Sequence, residues 1–86
     1  MTTARWQNAH QFDGLHHFDG GDKECGELLL DLRLYFDRLP AGAVVQVTAR
    51  DPGAYIDLPA WCRVVGHRLL ERDHPDYLIQ KKGNEP

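Results

Sequence analysis

The residues able to do chemistry in this chain begin with one of its two cysteines. Cys25 stands in "DKECGELLLDLRLYF", residues 22 to 36, where Gly26 and Glu27 follow it and an apolar-rich helical pattern begins. A thiol at the opening of a helix faces free backbone N–H groups and the positive end of the helix dipole, and both favour the thiolate. The thiolate is the form that attacks sulfur, so sulfur chemistry is the reading to pursue. Asp22, Glu24 and Glu27 oppose it by like charge, and Lys23 offsets one of them. A helix end stabilises an exposed charge by roughly 0.3–1 kcal/mol, which several solvated carboxylates can cancel. Cys25 is therefore expected to be reactive without being strongly acidic.

The remaining candidates have simpler explanations. Cys62 lies beside Trp61 on the inner side of a second helical stretch and is expected to be a packed core thiol. A Cys25–Cys62 bridge is allowed by number alone, but a protein of the reducing cytosol keeps its thiols free, and without a CxxC pair there is no cysteine zinc knuckle. Five histidines, His10, His16, His17, His67 and His74, match no zinc spacing; they are expected on the surface or in turns, with no metal site. "HPD" at 74 to 76 reads as a tight turn between strands. Arg50, Asp51 and Asp57 could be imagined as an acid–base set, yet loop and capping roles account for the two aspartates. There is neither a Gly-rich phosphate loop nor a Ser-His-Asp order. Lys81 and Lys82, with Arg5 and Arg72, could offer a docking surface, although a solvated strand end is the simpler account.

The elements that must hold Cys25 follow from hydrophobic spacing. A short strand is expected near His16 to Asp19, closed by Gly20-Gly21. Leu28, Leu32, Tyr35, Phe36 and Leu39 recur every three or four residues and predict a helix over Cys25 to Leu39, with Leu29 widening its stripe. Glu27 suits the start of that helix, Arg38 its end, and Pro40 stops it. "AVVQVTA", residues 43 to 49, is β-branched and predicts a buried strand. Asp57 is the expected N-cap of a second helix from about Leu58 to Val65, two residues ahead of Pro59, with Leu58, Trp61, Cys62 and Val65 facing in and Gly66 as its C′ residue. "HRLLERDHPDYLIQKK" reads as two strands joined at His74-Pro75-Asp76. The expected fold is an α/β two-layer sandwich of order β-α-β-α-β-β, with two helices on one face of a four-stranded mixed sheet and the other face partly open.

A chain of 86 residues holds one core. The single domain is expected over residues 12–82, after a flexible segment 1–11 weakly anchored by Trp6, and before a flexible tail 83–86. The net charge of −3, with acids spread along the chain, disfavours direct tight binding of nucleic acid. "MTTARWQNAHQFDG" contains no apolar h-region, and no run reaches membrane-spanning length, so a cytoplasmic protein without a membrane partner is expected.

In this order the landmarks resemble the TusA/SirA-like sulfur-carrier (sulfurtransferase) family. They are Cys25, Gly42, "VVQVTA", Asp51-Pro52, "DLPAWC", "GHRLL" and "YLIQKK", and the likeness covers about residues 18 to 82. Family members carry the cysteine at the mouth of the first helix, usually within a Cys-Pro-x-Pro motif. The resemblance implies that Cys25 accepts persulfide sulfur from a donor such as a cysteine desulfurase and relays it to an acceptor protein, with Gly26 and Glu27 supporting the site and no cofactor. This chain has Gly26 and Leu28 where the motif has its prolines, and Glu24 where the family often has a basic residue. Those departures keep open an alternative: a non-catalytic interaction or regulatory module that retains the fold. A third reading, a thiol redox pair of Cys25 and Cys62, predicts a reversible disulfide.

Overall fold

The computed structural model describes residues 15–83, and the expectations for segment 1–11, Arg5, Trp6, His10, Phe12 and the last three tail residues lie outside them. The chain runs β1 (His16–Asp19), α1 (Cys25–Asp37), β2 (Val44–Thr48), α2 (Ala54–Val65), β3 (Arg68–Asp73) and β4 (Asp76–Gln80). The sheet order is β1-β2-β4-β3. β1 pairs parallel with β2, while β4 runs antiparallel to both β2 and β3. Each helix thus bridges two parallel strands, and the β-α-β-α-β-β sandwich is the architecture of this chain.

Strand pleating sends alternate residues to opposite faces of the sheet. Val45, Val47 and Ala49 of the β2 segment join Tyr77 and Ile79 of β4 beneath Leu28, Leu32 and Phe36 of α1 and Ala54, Leu58 and Cys62 of α2. Phe18, Leu29, Tyr35, Leu39, Trp61 and Leu69 close the rim of this core. On the opposite face a smaller cluster forms where Leu15 and Leu70 pack against Val44 and Leu78. The same alternation lets the adjacent Leu69 and Leu70 serve the two clusters separately, and the pairing of β3 with β4 shifts register between Leu69 and Glu71.

Two boundaries differ from expectation. α1 ends at Asp37 rather than Leu39: Arg38 is the C-cap, and the Leu39 amide already turns back to the Phe36 carbonyl at 3.0 Å. The larger difference is at α2, which starts at Ala54 instead of about Leu58. Its N-cap is Gly53 rather than Asp57, which lies in the first turn. The Asp51-Pro52 turn nucleates the helix early, because the Asp51 carboxylate accepts the Gly53 N–H at 3.2 Å and the Asp51 carbonyl accepts the Ala54 N–H at 2.9 Å. Pro59 therefore sits inside the helix. It removes one i→i−4 bond, and its ring is buried beside Leu58. Gly66 terminates α2 as anticipated, in the left-handed region at φ 91°, with its N–H on the Cys62 carbonyl.

Candidate functional site at the mouth of the first helix

Because β1 and β2 are parallel and each is followed by a helix, the N-termini of α1 and α2 lie at the same edge of the sheet. The β3–β4 turn joins them, since Thr48 at the end of β2 pairs with Asp76 at the start of β4. This is the carboxyl edge of the parallel strands, where open α/β sheets offer a crevice. Three separate stretches of chain therefore converge on one rim: residues 19–27, 49–53 and 73–76.

Cys25 is the first residue of α1, Gly26 the second and Glu27 the third. The earliest intrahelical bond there runs from the Leu28 N–H to the Glu24 carbonyl, at 2.8 Å. The amides of residues 25 to 27 thus lie outside the helical ladder, and Glu24, the N-cap, makes no side-chain bond to them. Gly26 and Glu27 are exposed. A methyl group on Gly26 would meet nothing within 4 Å, so the approach to the helix mouth is open on that side.

Position 28, where the family motif carries a proline, holds the first core residue of α1: Leu28 is buried. Its N–H donates the helix-opening bond that proline could not make. Gly26 likewise keeps an N–H that proline would delete. With the Leu28 N–H committed to the helix-opening bond, this chain therefore presents one more free backbone donor at its helix mouth than a Cys-Pro-x-Pro sequence does.

The rim is built by polar contacts that local sequence does not announce. Gly20 donates its N–H to the Thr48 carbonyl at 2.8 Å, tying the exit of β1 to the end of β2. Asp19 accepts the Gly21 N–H at 2.9 Å and pairs with Arg50 at 3.1 Å. These two bonds, the backbone one first, hold the Asp19 carboxyl below its ordinary range. Lys23, just ahead of α1, pairs with Asp31 in the second turn of that helix, at 3.4 Å. Thr48 donates its hydroxyl to Asp76 at 2.8 Å, and His74 shares a hydrogen bond with the Tyr77 hydroxyl. Arg50 is thus a clamp across the rim rather than part of an acid–base set with Asp51 and Asp57. Asp51 folds back on its own loop, and Asp57 is exposed on α2. "HPD" forms the β3–β4 turn.

Cys62 is a free thiol, buried in the core as expected. Burial pushes its pKa up to about 11 against the small opposing pull of Arg63, so it stays protonated and unreactive. Among the described residues, no group of three or more His, Cys, Asp or Glu is gathered as a metal cage. His67 departs from the surface placement expected of the histidines, lying half-buried against Phe36 and Trp61. No helix among the described residues is long and apolar enough to cross a membrane.

Comparison with known proteins agrees with this architecture. The family model for sulfurtransferase TusA matches residues 18–81. The chain is 31% identical to the sulfur carrier protein TusA of Pseudomonas putida over 70 residues, covering 77% of this chain and 88% of that protein. It is 33% identical to the protein of the same name from Pseudomonas entomophila over the same shares of both chains. The likeness to its namesake from Pseudomonas savastanoi pv. phaseolicola is 34% over 62 residues, or 67% of this chain and 74% of the relative.

Proposed function

The chain belongs to the TusA sulfurtransferase family, and on that premise we propose that Cys25 is its sulfur-bearing residue, with Gly26 and Glu27 as the supporting positions. The observation that carries the reading is the position of Cys25 as first residue of α1, with no side chain capping the helix. The backbone donors left free there, and the dipole behind them, favour an anionic sulfur.

The chemistry is a thiol exchange without net redox change. The Cys25 thiolate attacks the outer sulfur of a donor protein's cysteine persulfide. A new S–S bond forms on Cys25, the donor's S–S bond breaks, and the donor cysteine departs as a thiolate. The bound sulfane sulfur is then open to the same attack by an acceptor thiol, which returns Cys25 to its starting state. An anion is present at each step, so the amides of residues 25 to 27 serve both the attacking thiolate and the persulfide that replaces it. The open side at Gly26 admits the partner's sulfur. Glu27, on the first turn, favours the helix through its dipole while disfavouring a neighbouring anion. We place its role in helix formation rather than in activating the thiol. The partners are a sulfur donor such as a cysteine desulfurase and an acceptor of the relay, in the cytoplasm.

Incubation with a cysteine desulfurase and cysteine, followed by mass mapping of tryptic peptides, tests this directly. One added sulfur is expected on the Cys25 peptide, none on the Cys62 peptide, and none in Cys25→Ser. Absence of label on Cys25, while a Cys-Pro-x-Pro carrier loads in parallel, would refute the carrier reading. The second reading, a binding module that keeps the fold, would then stand. Glu24 at the N-cap and the loss of both motif prolines favour it.

A further inference from the structure

The end of the molecule away from the helix mouth holds a groove of about 430 Å³ lined by Arg33, Asp37, Trp61, His67, Lys81 and Lys82, with Val64 on its lip. We propose that this groove binds a short acidic segment of a partner protein, one or two carboxylates flanking an apolar side chain. The proposal is independent of the sulfur chemistry. Along the α1 axis, Arg33 and Asp37 stand roughly 12–18 Å from Cys25, so a segment held here leaves the helix mouth clear.

Charge and shape together select the occupant. Three cations face one carboxylate in the groove, although the whole chain carries a net charge of −3. Some positive charge is expected here, because the C-termini of both helices present carbonyl oxygens at this end. Lys81 meets that demand by donating its ammonium to the Leu39 carbonyl at 2.6 Å. Among the described residues, Arg33 and Lys82 have no ion-pair partner and are available to a guest. Arg68, beside Lys81 and Lys82 in the adjoining hollow, extends the basic surface.

The floor is apolar and preformed. His67 stacks on Phe36 at 4.7 Å and meets Trp61 edge-on at 5.3 Å, while Trp61 packs against Phe36 at 5.6 Å. The Lys82 amide donates to His67 Nδ1 at 3.1 Å, which assigns the neutral ring's proton to Nε2. Val64, 84% exposed, offers an aliphatic contact beside these rings. A nucleic acid strand repeats its charge and would run beyond this short groove on to a protein of opposite preference. A peptide places its charge where the cations are and an apolar residue against Trp61.

Titration of the isotopically labelled full chain with a capped peptide alternating glutamate and leucine tests the proposal. Amide and indole shifts should saturate at Trp61, His67 and Lys82 and leave residues 19–27 unmoved. The Arg33→Glu/Lys82→Glu variant, confirmed as folded by its own spectrum, should bind at least about tenfold more weakly. Equal binding of the same peptide with lysine in place of glutamate, tighter binding of an oligonucleotide of equal charge, or the lack of saturable shifts would each overturn it.

Discussion

Gly20 donates its amide to the Thr48 carbonyl at 2.8 Å and has no room for a side chain: a methyl group there would lie 2.5 Å from Leu28 Cδ1 and 3.1 Å from that same carbonyl. This is the knot from which the chain turns towards Cys25. Because Leu28 is buried, it cannot swing aside without disturbing the core. Gly20→Ala should destabilise the protein by about 1–3 kcal/mol, read as a lower urea midpoint. Gly26→Ala, facing open space in a helix, should raise stability by about 0.5–1 kcal/mol.

Cys62 provides a second check. With its thiol pushed up to about 11 and its side chain buried, native protein at pH 8 should not be alkylated at Cys62, whereas unfolded protein should be. Cys62→Ser places a hydroxyl in an apolar core and should cost about 1–3 kcal/mol. Persulfide loading of Cys25 should survive that change, which separates a packing residue from a participant in relay chemistry.

Phe36 joins the core to the distal groove through its stack on His67. Phe36→Ala should cost about 3–5 kcal/mol by calorimetry or denaturant unfolding. In the folded fraction it should also move the His67 pKa back towards the ordinary histidine value by admitting water, a shift visible in the imidazole resonances.

His67 gives stability a pH dependence of known sign. Burial, then Lys82 and Lys81, hold its pKa below 6.5, against an opposing pull from Asp37. Above 6.5 both folded and unfolded chains carry a neutral ring and the residue contributes no slope. As pH falls below 6.5 the unfolded chain takes up the proton first, so stability declines until the folded pKa is passed. His67→Gln should flatten that part of the stability–pH curve. An unchanged slope would place the acid sensitivity elsewhere.

How much of this was legible beforehand depended on the range over which each contact acts. The apolar stripe of Leu28, Leu32 and Phe36 repeats within one helical face, so its burial could be read from spacing alone. Gly66 could be placed as a C′ residue because its left-handed backbone follows from local chain geometry. The start of α2 differs from the one expected because Asp57-x-Pro59 and Asp51-Pro52 are both acceptable openings. Burial of Ala54 against the sheet favours the earlier one.

The sequence by itself determined the order of elements, the two-layer sandwich, the core role of Cys62 and the placing of Cys25 at the head of the first helix. Each rests on propensity or periodicity within a few neighbours. Tertiary structure alone decided that Asp19 would clamp Arg50 across the rim, 31 residues away. It also decided that His67 would lie between Phe36 and Trp61, and that Arg33 would share a groove with Lys81 and Lys82. Those pairings carry no local energy in the extended chain. They arise only once sheet register and helix packing bring distant side chains within a few ångströms.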